Sequence, residues 1–193
     1  FDDELADLDV LVARAPERDA LHELLRAQAL ADLGRHDEAL AGLAALAAFQ
    51  PDYAAAHDLQ GHLLRQTGRY AEAVAAYTRS LEAWQDDEGT WVNRALAYAH
   101  LGDHGAAAAD VAEARRLQEA DGYASPGTLY DIGCVYALLG DPNAAIAALT
   151  SAVDAGYADL DWLADDPDLA ALQDEPAFQA LLDRLEQALD DDA

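Results

Sequence analysis

The chain has 193 residues, 52% of them hydrophobic, and its 38 acidic side chains face 11 arginines and no lysine, for a formal net charge of −27. Such a charge repels phosphate backbones and argues against nucleic acid as a partner. No apolar run reaches the roughly 18 residues of a membrane-spanning helix, so a soluble protein is expected.

Cys134 is the single cysteine and has no partner for an internal disulfide, which fits a reducing cytoplasm. Genome bias toward alanine would explain the missing lysine but should have raised arginine as well. The acid excess therefore has two candidate causes: adaptation to a salty interior that screens self-repulsion, or solubility of an elongated alanine-rich chain.

In chain order, Leu5, Leu8, Leu11, Val12 and Ala15 fall at helical spacing behind Asp2, Asp3 and Glu4, so residues 1–16 read as one amphipathic helix stopped by Pro16. Pro16 lies 35 residues before Pro51. The helix thus has the place of the second half of a repeat, and with Phe1 in the first position the chain reads as a piece of a longer one.

From residue 20 onward the pattern recurs. Glycines at Gly34, Gly68, Gly102 and Gly140 step by 34, 34 and 38 residues. Seven residues before each stands Ala27, Gly61, Ala95 or Gly133, and five after each stands Ala39, Ala73, Ala107 or Ala145. Four before come Leu30, Leu64, Tyr98 and Tyr136, and nine after come Leu43, Tyr77, Val111 and Leu149. Each column has a steric reason: a turn that tolerates positive φ, two facing small residues where helices touch, and large residues that fill the space around that contact. A mid-helix glycine such as Gly61 costs about 1 kcal/mol against alanine and must be offset by such packing.

Four columns held in phase with the turn glycine over four copies resemble the tetratricopeptide repeat family, whose period is about 34 residues. The repeats read as 20–53, 54–87, 88–121 and 126–159. The first departs from the family by carrying Glu23 where a bulky apolar residue is usual, and the third carries His104 where the second has Tyr70. Between the third and fourth, residues 121–125 stretch the period by a one-turn helix extension or a longer loop. Ser125 before Pro126 and Asp141 before Pro142 read as helix caps.

Residues 160–189 change pattern, with Asp166 and Pro167 opening a short helix and Pro176 opening a longer one whose stripe is Phe178, Leu181, Leu182 and Leu185. This ending is similar to the capping segment of bacterial arrays of the family, and Asp190, Asp191 and Asp192 read as a frayed tail. The fold class expected is all-α: one domain, a right-handed superhelical solenoid of helical hairpins with a flanking N-terminal helix and C-terminal capping helices.

No catalytic, cofactor or metal site stands out. His57 and His62 are five apart on one helix, His100 and His104 straddle a turn, and neither pair has the i, i+4 spacing of a zinc site. Cys134 would need a cationic neighbour to become a nucleophile, and His100 is the one candidate. The pairs Asp86 with Asp87 and Asp165 with Asp166 read as solvated helix ends.

The resemblance implies a non-catalytic scaffold whose first helices line a concave groove for a peptide of a partner protein. In register, the residues placed there are Asp58, His62, Arg65 and Gln66 from the second repeat, Asn93 and His100 from the third, and Tyr130 and Asp131 from the fourth. Leu21, Leu24 and Leu25 make the first repeat's end of the groove apolar. The partner implied carries apolar anchors and some positive charge. A clamp for a partner's C-terminal carboxylate, found in some family members, would have only Arg65 and Asn93 to echo it. Two alternatives stay open: a regulatory or sensory module of a larger signalling enzyme, and a structural protein that associates with its own copies.

Overall fold

The computed structural model describes Val10 and residues 20–191, and the expected N-terminal helix lies otherwise outside that range. The described residues form helices without strands, in two compact units, residues 1–90 and 91–193. In the first, α1 (Ala20–Asp32) pairs with α2 (His36–Phe49) and α3 (Ala54–Gln66) pairs with α4 (Tyr70–Ala83). The unit boundary falls just inside α5 (Glu88–His100). The second unit continues with α6 (His104–Asp121), α7 (Pro126–Leu138), α8 (Pro142–Asp154), α9 (Leu160–Asp165), a 3₁₀ segment (Pro167–Leu172) and α10 (Pro176–Asp191).

The turn glycines close the first helix of each hairpin. Gly34, Gly68, Gly102 and Gly140 have φ between +73° and +76°. Reversing the chain there lets the next N–H reach back to the carbonyl five residues earlier: Arg35 to Leu30 and Arg69 to Leu64 at 2.8 Å, Asp103 to Tyr98 at 2.9 Å and Asp141 to Tyr136 at 3.0 Å. One orphan carbonyl per helix is thereby satisfied.

Inside the hairpins the small-residue columns are buried. A Cβ placed on Gly61 would stand 2.6 Å from the ring of Tyr77, and one on Gly133 would stand 2.6 Å from Leu149. Ala27 and Ala95, which hold the same place in the other two hairpins, are buried, as are Leu43 and Val111.

Two separate apolar cores result. One, in the first unit, is centred on Leu30, Leu43, Leu46 and Leu63. The other runs through Leu96, Ile132, Leu149, Leu163, Leu172 and Phe178, so the C-terminal helices share the core of the hairpins of their own unit. Phe178, Leu181 and Leu185 are buried and Leu182 partly so, with α10 against α8. Asp190 and Asp191 continue that helix rather than fraying from it.

The stretched period is taken up by the helix, since α6 has 18 residues where α2 and α4 have 14. Gly122, at φ +67°, then ends it. The caps expected at Ser125 and Asp141 accept from the N–H of Thr128 and of Ala144. One pairing has no counterpart in the sequence columns: Arg94 Nε and Nη2 meet the two carboxylate oxygens of Asp110 at 2.7 and 2.8 Å, with the guanidinium 4.8 Å from the centre of the Trp91 ring. Both charges lie largely out of water, so each is held by the other.

Gly61→Ala tests the close contact. Alanine gains about 1 kcal/mol of helix propensity, but the methyl group meets a fully buried tyrosine ring, and overpacking costs about 1–3 kcal/mol. Three atoms of that ring lie within 2.9 Å of the added carbon, which puts the cost at the upper end, about 2–3 kcal/mol, so the expected net result is a loss of roughly 1–2 kcal/mol in urea unfolding, largely relieved by Tyr77→Leu in the double variant. An unchanged or raised midpoint would refute the packing account.

Candidate binding groove

In the first unit, α1 and α3 present the side chains that the core does not use. Leu21 and Leu25 are 54% and 46% exposed, Gln66 is exposed, and Asp58, His62 and Arg65 are half-buried. Asp58, His62 and Gln66 border a recess of 510 Å³ together with Gln28 and Asp32. The Gln66 amide nitrogen lies 3.0 Å from His62 Nε2. Burial and the nearby Arg65 charge push the His62 pKa down, so the ring is neutral at pH 7 and its Nε2 accepts from the amide. His57, one turn before, is turned into the structure, with Nε2 donating to the Pro51 carbonyl at 2.7 Å.

Asp58 sits in a crowded polar corner. The Thr90 hydroxyl is 2.8 Å from Asp58 Oδ1 and 3.0 Å from Asp87 Oδ2. It has one hydrogen, so it donates to one of the two. The other oxygen of Asp87 caps α5, accepting from the N–H groups of Gly89 and Thr90. Burial raises the Asp58 pKa, Thr90 opposes the rise, and the Asp87 charge adds to it. Asp87, expected as a solvated helix end, is half-buried and belongs to this cluster. Thr90, which carries no sequence signal beyond its place in the first turn of a helix, joins the two acids.

In the second unit the chain's own ending meets several of the residues assigned to the groove. Tyr130 is buried, its ring stacked on Tyr157 at 4.5 Å, and its hydroxyl donates to Asp166. Cys134 Sγ is 3.7 Å from the same carboxylate oxygen, and Asp168 lies 3.3 Å from His100 Nε2. Asp166 caps the 3₁₀ segment through Oδ1 and receives Tyr130 and Cys134 at Oδ2, so it is a buried junction and not a solvated helix end. Its burial depends on a tyrosine 36 residues away, which local pattern cannot convey. Asn93 and Asp131 are half-buried.

Cys134 is the reverse of an activated nucleophile. Burial first, then the Asp166 and Asp131 charges, push its thiol well above the ordinary range. His100, the one candidate partner, faces Asp168. Among the described residues no group of three or more His, Cys, Asp or Glu side chains is arranged to hold a metal ion, and no helix is long and apolar enough to cross a membrane.

The sequence matches a profile described as tetratricopeptide repeat over residues 24–88 and 59–124, and a second profile of the same description over 126–155. No curated protein sequence matches. Among solved structures, TTC0263, a thermophilic TPR protein of Thermus thermophilus, is similar with a TM-score of 0.68 at 19% identity, over 96% of this chain and 88% of that one. YrrB, a TPR protein with an unusual peptide-binding site, gives 0.61 at 16% identity over 93% of this chain and 91% of its own. A chain of the APC/C hetero-tetramer Cut9–Hcn1 gives 0.75 at 20% identity over 95% of this chain but 35% of that chain. At these identities the likeness shows the fold, an all-α solenoid of this repeat.

Two outcomes are expected, one from half-buried Asp58 and one from buried Asp166. A carboxyl whose folded pKa is raised binds its proton more tightly when folded, so its contribution is intact at low pH and is lost as pH rises through the folded value. Asp58→Asn keeps an acceptor for Thr90 and removes the charge, so its urea midpoint should exceed that of the native chain at pH 7, with the gap closing toward pH 4. Tyr130→Phe takes a donor from buried Asp166 and should cost about 1–3 kcal/mol at pH 7, with the loss seen in thermal or urea unfolding.

Proposed function

The chain belongs to the tetratricopeptide repeat family, and on that premise we propose that it is a non-catalytic scaffold that holds a segment of a partner protein along the first helices of its hairpins. A repeat of this kind is in general a protein-interaction scaffold. The observation that carries the finer reading is the surface of the first unit, where Leu21 and Leu25 are exposed beside the recess bordered by Asp58, His62 and Gln66. Exposed apolar side chains next to oriented polar ones provide an anchor and a means of selection.

The second unit enters the proposal more narrowly. Asn93, His100 and Asp131 keep half-buried positions, whereas Tyr130 is sealed beneath the chain's own C-terminal segment and serves the cap. A peptide-binding site is described for YrrB, a structure of similar fold, and this supports a peptide as ligand without fixing which residues touch it. The reading as a scaffold rests on the general role of the repeat and on Cys134, whose buried thiol is held protonated beside Asp166. Association between copies is a weaker reading, because a net charge of −27 on each repels its twin except at high salt.

Affinity capture from the native lysate tests the proposal. Partners retained by the native chain should be lost at least tenfold when Leu25, His62 and Gln66 are changed together to alanine, and kept when the exposed pair Arg69 and Glu72 is changed instead. Capture unaffected by the first set would refute binding at this surface. Light scattering across a dilution series would report a mass above the monomer if copies associate.

A further inference from the structure

Beside the polar recess of the first unit lies a second, apolar one of 370 Å³, walled by Leu24 and Leu25 of α1, Leu59 of α3 and the indole of Trp84 at the end of α4. Trp84 is 60% exposed and Leu25 46%, which is unusual for side chains of this size. Two further lining residues are Asp58 and Asp87, and the lining includes no arginine. Those are the two carboxylates that meet at the Thr90 hydroxyl, with one hydrogen between them. Asp58 Oδ2 has no hydrogen-bond donor among the described residues. The recess thus combines an aliphatic wall, an open aromatic face and two acids that are one donor short.

From this we infer that the recess receives an arginine side chain of the partner segment, its methylenes against Leu24, Leu25 and Leu59 and its guanidinium between Trp84 and the two carboxylates. The inference rests on the proposed groove and names what the groove selects. Arginine fits the chemistry better than lysine. A planar guanidinium stacks on an indole while donating in its plane to two separate carboxylates, which a compact ammonium cannot do. A volume near the low end of the roughly 300–1,000 Å³ usual for ligand sites suits one long side chain rather than a whole metabolite. The excess of acid over the chain as a whole would draw a cationic segment toward the surface and turn an anionic one away.

The test uses the whole chain and two capped peptides, acetyl-Ala-Leu-Arg-Leu-Ala-amide and the same peptide with citrulline, which keeps the planar side chain and removes its charge. Titrations are followed by the Trp84 indole resonance and the backbone resonances of Asp58 and Thr90. Saturable shifts at all three are expected with the arginine peptide, at least tenfold weaker with citrulline and at least tenfold weaker for the arginine peptide in Asp58→Asn. Asparagine keeps an acceptor for Thr90, so the variant should fold. Equal affinity for the two peptides at these resonances would overturn the arginine assignment while leaving an apolar groove intact. Saturable shifts confined to the His62 and Gln66 recess would likewise overturn it and leave the groove. No shift anywhere at millimolar arginine peptide would overturn the assignment, and the groove would then stand or fall on the capture experiment.

Discussion

In two of the hairpins the contact between a residue without a side chain and the large one facing it sets the distance between the paired helices, and the rest of the hairpin is arranged around that distance. Gly61 against Tyr77 and Gly133 against Leu149 show it, since a Cβ on either glycine would stand 2.6 Å from the side chain it faces. Helix packing of this type is short-range, so each hairpin is specified by residues within one repeat of each other. A fold built in this way is readable from a repeating sequence, and its outer helix faces are free to vary.

The second requirement is an ending. A hairpin array leaves an apolar face after its last pair, and here α9, the 3₁₀ segment and α10 bury Leu163, Leu169, Leu172, Phe178, Leu181 and Leu185 in the core of the second unit. Asp166 fixes the position of that ending through its side chain, holding the 3₁₀ turn with one oxygen and α7 with the other. A buried carboxylate costs desolvation, and its donors must be oriented to offset that cost. The same closure covers the face of α7 that carries Tyr130 and Cys134.

What the sequence conveyed and what it did not divide along the same line. The turn glycines, the facing small residues, the caps at Ser125, Asp141 and Asp166 and the stripe of α10 are local or periodic features, and they were legible. The four extra residues after the third repeat were legible as a length but not as a shape, because a helix turn and a loop absorb them equally well. Residues 1–16 lie outside the described range apart from Val10, so the reading of a half-repeat there stands as an expectation. The places of Tyr130 and Asp166 are not legible in the sequence, because the contact that joins them links parts of the chain that no period relates. Asp87 reads from the sequence as a solvated helix end because an aspartate before a helix usually caps it and faces water, and only the Thr90 hydroxyl it shares with Asp58 of a different helix makes it part of a polar cluster. Arg94 and Asp110 form a pair that neither hydrophobic period nor turn chemistry marks.

The sealed junction at Asp166 also bears on how the protein ages. With one cysteine and no methionine, the chain's only sulfur atom is Sγ of Cys134. It lies under the closing segment in its protonated form, where peroxide finds neither access nor thiolate. Oxidation at that sulfur therefore waits on the lifting of the segment that carries Asp166.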